Sequence, residues 1–210
     1  MRIAVTTLDS FHKHLTDDWL SESDLVASIR HESPPTPALL IGRAFDSVLS
    51  NPERYQVPGG YVCDGYQFGA DTMALALATI DPRMVPQVKA TKIWGPGAHT
   101  IVAKADGVLG TQLVEHKTTT GSFDFAHYER SYQWRFYLDL FDASSIQYHV
   151  FLLSDHHNGV IEVRDVESFT LYPYPALHQD CDELLTKFLD FVRLKHLELY
   201  LETPVAVVDV

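Results

Sequence analysis

Apolar residues along this chain switch between two periods. Phe11, Leu15, Trp19 and Leu20 recur at near-helical spacing, so residues 8–20 are predicted to form a short helix. Ser21-Glu22-Ser23-Asp24 has the pattern of a capping box and leads into a second helix through Leu25 and Ile29. Pro34, Pro35 and Pro37 make a stiff linker, and Thr36-Pro37 reads as an N-cap with proline at the first helical position. Ile41, Phe45, Val48 and Leu49 form the apolar stripe of that third helix, which Asn51-Pro52 ends. Residues 53–70 are rich in Tyr and Gly without a period and read as a loop or flap. Residues 71–80 are Ala- and Leu-rich and helical.

The period then shortens. Residues 85–94 alternate loosely, as a strand does, and Gly95-Pro96-Gly97 is a turn. Two apolar-rich runs, 99–108 and 112–117, flank Gly110-Thr111, a pair suited to a type II′ hairpin turn. With a two-residue turn there, Leu109 faces Gln112 and Asp106 faces Glu115. A helix is predicted over 123–141, with Phe125, Tyr128, Tyr132, Phe136 and Leu140 on one side. Strands at 146–153 and 160–166 follow, joined through Asn158-Gly159, and then a long amphipathic helix over 176–201. The apolar tail, 204–210, is expected to pair or to pack on a neighbour. This order predicts one α/β domain over residues 1–210, with a central mixed sheet of about five strands flanked by helices.

Composition narrows the picture. The 210 residues suffice for a sizeable core, and no run approaches the roughly 20 apolar residues that span a bilayer. The first residues lack a long apolar stretch, so no signal peptide is expected and the cytoplasm is the default compartment. Two cysteines, Cys63 and Cys181, cannot make a four-cysteine metal or iron–sulfur site. A net charge of −12 argues against a general nucleic-acid binder. It leaves room for a protein that grips phosphates with a few cations on one face.

The hairpin carries the chemistry. Opposed carboxylates about 5 Å apart repel, and a cation between them reverses the sign. Lys117, two residues past Glu115, shares its face. Asp, Glu and Lys converging on two strands suit phosphodiester hydrolysis: carboxylates hold Mg²⁺, and the lysine orients water or offsets charge on the phosphoryl group. A solvated surface hairpin is the plainer reading of these three residues taken alone.

Further residues join them. Gly42-Arg43-Ala44-Phe45-Asp46 lies on the third helix, and Gln133 and Tyr137 lie four apart on a later one. The order Gly-x-x-x-acid, Asp, Glu-x-Lys, Gln-x-x-x-Tyr resembles the PD-(D/E)xK nuclease superfamily, and more closely its phage lambda-type alkaline exonucleases and RecB-like relatives. The resemblance covers about residues 36 to 142. It implies a Mg²⁺-dependent 5′→3′ exonuclease, with Mn²⁺ able to substitute, that degrades one strand of linear double-stranded DNA to mononucleotides for recombination. It further implies a toroidal homotrimer, whose channel could concentrate the few cations, and a single-strand annealing protein as partner. Asp106 and Glu115 would hold metal, joined by the backbone carbonyl of His116, whose imidazole is expected on the opposite sheet face. Lys117 would activate water and Gln133 would position water or phosphate. Tyr137 would line the site. Asp46 stands where the family has His or Glu, so a contact through water is expected of it. Arg43 is a candidate phosphate contact, as are Arg130 and Arg135. Ser23 could help hold a 5′-phosphate, although an ordinary cap is the plainer reading of Ser21 and Ser23. His12, His14, His156 and His157 read as solvated.

Two other readings stay open. One is an endonuclease or single-strand nuclease of the RecB-like type. The other is a non-enzymatic phage protein with a degenerate nuclease core, against which the intact Asp106, Glu115 and Lys117 argue.

Overall fold

A computed structural model describes residues 1–17, 20–95, 97–154 and 159–201. The expectations for Trp19, Pro96, the 155–158 hairpin tip with its two histidines, and the apolar tail fall outside the described residues.

The chain opens with a short strand that the sequence reading missed, β1 (Arg2–Ala4), before α1 (Val5–Thr16). Helix α2 (Glu22–Ile29) starts where predicted: the Ser21 side chain accepts from the Asp24 N–H at 3.1 Å. Helix α3 (Pro37–Ser50) is capped by Thr36, which accepts from the Leu39 N–H, with Pro37 in the first turn. After the single turn α4 (Pro52–Tyr55) the expected flap is a small sheet instead. Its strands β2 (Gln56–Val57), β3 (Gly60–Cys63) and β4 (Tyr66–Gly69) are too short to show a period in sequence. Helix α5 (Ala70–Leu77) follows.

The main sheet is built from β5 (Val85–Trp94), β6 (His99–Leu109), β7 (Gln112–Thr119), β8 (Ser145–Leu153) and β10 (Val163–Leu171), with β1 as a sixth strand. The two-residue strand β9 (Val160–Ile161) leaves the expected 160–166 strand and joins β4 in the small sheet. Strands β7 and β8 run parallel and the β5–β6, β6–β7 and β8–β10 pairs antiparallel, so the sheet is mixed as expected.

The predicted helix over 123–141 is two helices, α6 (Phe125–Arg130) and α7 (Gln133–Phe141), broken at Ser131-Tyr132. The last helix, α8 (Leu177–Leu194), ends earlier than predicted and is followed by a 3₁₀ turn, Glu198–Leu201. Among the described residues no helix is long and apolar enough to cross a membrane.

Each sheet face buries its own core. One packs Leu8 and Phe11 of α1, Phe136 of α7, and Leu184 and Phe188 of α8 against Ile101, Leu113 and Tyr148. The other packs Ile41, Phe45 and Val48 of α3 and Met73 of α5 against Phe151, Leu153 and Phe68. Cys63 and Cys181 are buried free thiols in different cores. Gly42 lets α3 settle on the sheet: a Cβ there would stand 3.1 Å from Thr118 Oγ1 of β7.

Candidate active site

The site is a fork in the main sheet. Strand β5 pairs along one edge of β6, from His99 to Val108. The other edge is shared: β1 takes Thr100 to Val102 and β7 takes Gly107 to Leu109, leaving residues 103–106 between them. The turn is the one the sequence predicted, with Gly110 at φ +62° and Leu109 opposite Gln112. The register continues toward Asp106 opposite Glu115, but the ladder stops at Gly107–Val114. One step beyond, the Asp106 carboxylate itself accepts the His116 N–H at 2.8 Å. The Lys104 carbonyl, also in the fork, accepts from Tyr137 Oη at 2.8 Å.

Glu115, Lys117, Gln133 and Tyr137 form one hydrogen-bonded group on the α7 side. Lys117 Nζ donates to Glu115 Oε1 (2.7 Å) and to Gln133 Oε1 (2.9 Å). Gln133 Nε2 donates to the same Glu115 oxygen (2.7 Å) and to Tyr137 Oη (3.0 Å). Glu115 is 3 % exposed, and its second oxygen, Oε2, is buried with no hydrogen-bond partner among the described residues. Burial pulls the Lys117 pKa down, but the charge and hydrogen bond of Glu115 and the charge of Asp106 outweigh it and hold the ammonium protonated. Of the two roles expected for Lys117, activating water and offsetting charge, a protonated ammonium suits the second, and the first only by orienting the water. Burial first, then Glu115 and Asp46, push the Asp106 carboxyl up to about 7.

The α3 side holds a second group. The His116 ring does lie on the face opposite Glu115 and Lys117, but that face is part of the site because α3 brings Asp46 onto it. His116 Nδ1 stands 3.7 Å from Asp46 Oδ1, and ligand atoms of Asp46, Asp106 and His116 all fall within 4.8 Å of one another. The imidazole thus lies on the expected face, and that face carries a cluster of its own. Asp46 Oδ2 accepts from Gln87 Nε2 at 3.1 Å. Gln87 sits opposite the fork on β5 with φ +56°, a conformation rare for a residue with a side chain.

The donor set fits a divalent cation. Three carboxylates and one imidazole surround the fork. Asp46 Oδ1, Glu115 Oε2 and both ring nitrogens of His116 are buried without hydrogen-bond partners among the described residues. Buried polar atoms are rarely left so, and an ion would satisfy them. Asp106 would be shared, with Glu115 on one side and Asp46 and His116 on the other.

Above the fork opens a cavity of about 770 Å³, and Arg2, Arg43, Lys89, Lys104 and Lys117 all line it although the chain carries −12 overall. Arg43, the candidate phosphate contact on α3, is one of these lining cations. Ser23 is not among the lining residues and is hydrogen-bonded to Ser21 Oγ (2.8 Å) in the α2 cap. Arg130 and Arg135 line a separate cavity with His12 and Lys13. There Arg135 donates to Tyr174 Oη and to the carbonyls of Arg130 and Ser131, which makes it a structural tie. Of the histidines expected to be solvated, His12 and His14 are half-buried: His12 lies against Tyr132 (4.4 Å between centroids, rings tilted by 50°) and His14 Nδ1 pairs with the Leu20 carbonyl (2.9 Å).

Two residues escaped the sequence reading. Asp9, 6 % exposed, accepts from Ser131 Oγ and from the N–H groups of Tyr132 and Gln133, seating the start of α7. Its partner Lys13 is spaced i,i+4, a legible pair, but nothing local says that it reaches α7. Gln87 carried no signal.

The mixed sheet with helices on both faces is the α/β fold expected from the resemblance. Particular solved structures share it. The alkaline exonuclease LHK-Exo from Laribacter hongkongensis superposes with a TM-score of 0.54 over 94 % of this chain and 90 % of its own, at 10 % identity. Its complex with dAMP gives the same TM-score and coverage at 11 % identity. A phage-related exonuclease from Haemophilus somnus 129PT has a TM-score of 0.53 over 93 % of this chain and 96 % of its own, at 9 % identity. At such identities the likeness is one of fold. No protein-family profile matches the sequence, and no curated protein does.

Proposed function

We propose that this protein is a divalent-metal-dependent deoxyribonuclease that digests one strand of linear double-stranded DNA in the 5′→3′ direction, releasing mononucleotides for phage-type recombination. The observation that carries the reading is the convergence of Asp106, Glu115, Lys117 and Gln133 at the sheet fork, beneath a cavity lined by cations. The fold likeness to two exonucleases, one solved with dAMP, supports it. A homotrimeric ring and a single-strand annealing partner belong to the same proposal.

A bound Mg²⁺ or Mn²⁺ supplies Lewis acidity toward the phosphoryl oxygen and lowers the pKa of coordinated water. Asp106 and Glu115 would hold it, with the His116 carbonyl as a further ligand. Lys117, kept charged, offsets the negative charge that builds on the phosphoryl oxygens. Gln133 fixes the Glu115 oxygen and the Lys117 ammonium relative to each other, so neither has to reorganise during reaction. Arg43, Lys89 and Lys104 meet the DNA backbone.

Linear and closed circular duplexes of one sequence, incubated with Mg²⁺, test the reading. Linear DNA should be degraded, faster with a 5′-phosphate, and closed circles spared. Cutting of closed circles would replace the exonuclease by an endonuclease on the same fold.

A further inference from the structure

We infer that the cation position beside α3 is built for a first-row transition-metal dication rather than for Mg²⁺ or Ca²⁺, because the His116 imidazole joins the carboxylates of Asp46 and Asp106 as a ligand. The inference deepens the metal-dependent reading above and rests on it.

The argument starts from two neighbouring histidines. His116 and His149 are paired in register on β7 and β8, with ring centroids 6.1 Å apart, and both are buried. His149 behaves as a core histidine should: its Nδ1 pairs with Ser168 Oγ at 2.8 Å. His116 does not. Its side chain is 6 % exposed, yet neither ring nitrogen has a hydrogen-bond partner among the described residues. The ring is nevertheless held, edge-on to Phe151 at 5.8 Å, and the backbone N–H of His116 ties the residue to Asp106.

What it faces is acidic. Asp46 Oδ1 lies 3.7 Å from Nδ1 and is itself buried and unpartnered. Gln87 occupies the other Asp46 oxygen and so turns Oδ1 toward the ring. Two ligands on opposite sides of one ion sit about 4.4 Å apart at ordinary bond lengths. The Asp46, Asp106 and His116 ligand atoms all lie within 4.8 Å of one another, close enough for a single ion to draw them in with small side-chain shifts.

Ligand type then selects the metal. Mg²⁺ takes oxygen donors and keeps its waters. An imidazole nitrogen adds little for Mg²⁺ and more for transition-metal dications, in the order Mn²⁺, Fe²⁺, Co²⁺.

Mn²⁺ tests this directly because it is paramagnetic. Electron spin-echo envelope modulation of the wild-type protein with one equivalent of Mn²⁺ should show coupling to an imidazole ¹⁴N, and His116→Gln should abolish it. By titration calorimetry the wild type should bind Mn²⁺ at least about tenfold more tightly than Mg²⁺, and His116→Gln should reduce that ratio to below about threefold. Because His116 is buried, Asp46→Asn provides an independent variant at a side chain one-third exposed. It should weaken Mn²⁺ about tenfold while the ¹⁴N coupling persists at saturation. Absence of ¹⁴N coupling in wild type overturns the inference, as does an unchanged metal preference in His116→Gln or unchanged Mn²⁺ affinity in Asp46→Asn. Those results would leave DNA digestion in Mg²⁺ standing. A wild type that binds neither metal overturns the inference and the nuclease reading together.

Discussion

Asp9 and Gln133 are 124 residues apart, yet the carboxylate of one accepts the backbone N–H of the other, at 3.3 Å, while also taking the Tyr132 N–H at 2.7 Å. The first helix is thereby fastened to the first turn of α7, from which Gln133 reaches Glu115 and Lys117. Burial pushes the Asp9 pKa up, but Lys13 and the hydrogen bonds from Ser131 and Tyr132 outweigh it and hold it below the usual carboxylate range. Asp9→Asn keeps the shape and removes the charge. It should cost about 1–3 kcal/mol of stability and lower the cleavage rate, while Mn²⁺ affinity stays within about twofold of wild type. Urea unfolding and calorimetry on the same preparation check it, and a large loss of metal affinity would show that Asp9 acts otherwise.

Lys117→Ala should lower the cleavage rate by about a thousandfold, the scale of removing one preorganised donor to the transition state. Metal should still bind, because the ammonium competes with the cation for Glu115 Oε1. Wild-type digestion of linear duplex by this variant would remove Lys117 from the site.

Gln87 combines a strained backbone with a contact to Asp46, and strain of this kind concentrates where function requires it. Gln87→Gly relieves a left-handed conformation that costs about 1–2 kcal/mol, against roughly 0.5–1 kcal/mol for glycine's freedom in the unfolded chain. Stability should hold or rise slightly while Mn²⁺ affinity falls several-fold. A fall in stability with Mn²⁺ affinity unchanged would mean that the side chain serves packing alone.

The pH dependence follows from Asp106, which faces Glu115, Asp46 and Lys117. Its folded pKa of about 7 lies above the unfolded value near 4. Between the two, the folded state holds a proton that the unfolded chain has lost, so this group's contribution to stability falls as pH rises. His149, which burial and His116 hold down at about 4, works in the opposite direction and cancels when wild type is compared with Asp106→Asn. Without metal, wild type should lose stability relative to Asp106→Asn between about pH 4 and 7. Saturating Mn²⁺ should raise Tm more at pH 8 than at pH 5.5. A pH-independent difference between the two proteins would contradict this.

What the sequence made legible was local. Gly110-Thr111 set the hairpin register, and with it the chain positions of Asp106, Glu115 and Lys117, because a two-residue turn leaves little choice. Gln133 and Tyr137 share a helix face by spacing and do bond to each other. The missed features depend on distant partners. The helix over 123–141 breaks at Ser131-Tyr132, where Asp9 of α1 binds the chain. The small sheet hides in strands of two to four residues, and one of its members, β9, arrives from some ninety residues further on. His116 was read by strand alternation alone, which placed its ring on the correct face without showing that α3 brings Asp46 there.

The most direct test of the central claim is a time course on a linear duplex labelled at the 5′ end of one strand and the 3′ end of the other, run with Mg²⁺ or Mn²⁺ and repeated with chelator. The account predicts early release of the 5′ label as a mononucleotide, slow loss of the 3′ label, and no reaction without metal. An intact duplex at stoichiometric protein in both metals, or cleavage that proceeds in chelator, would contradict it.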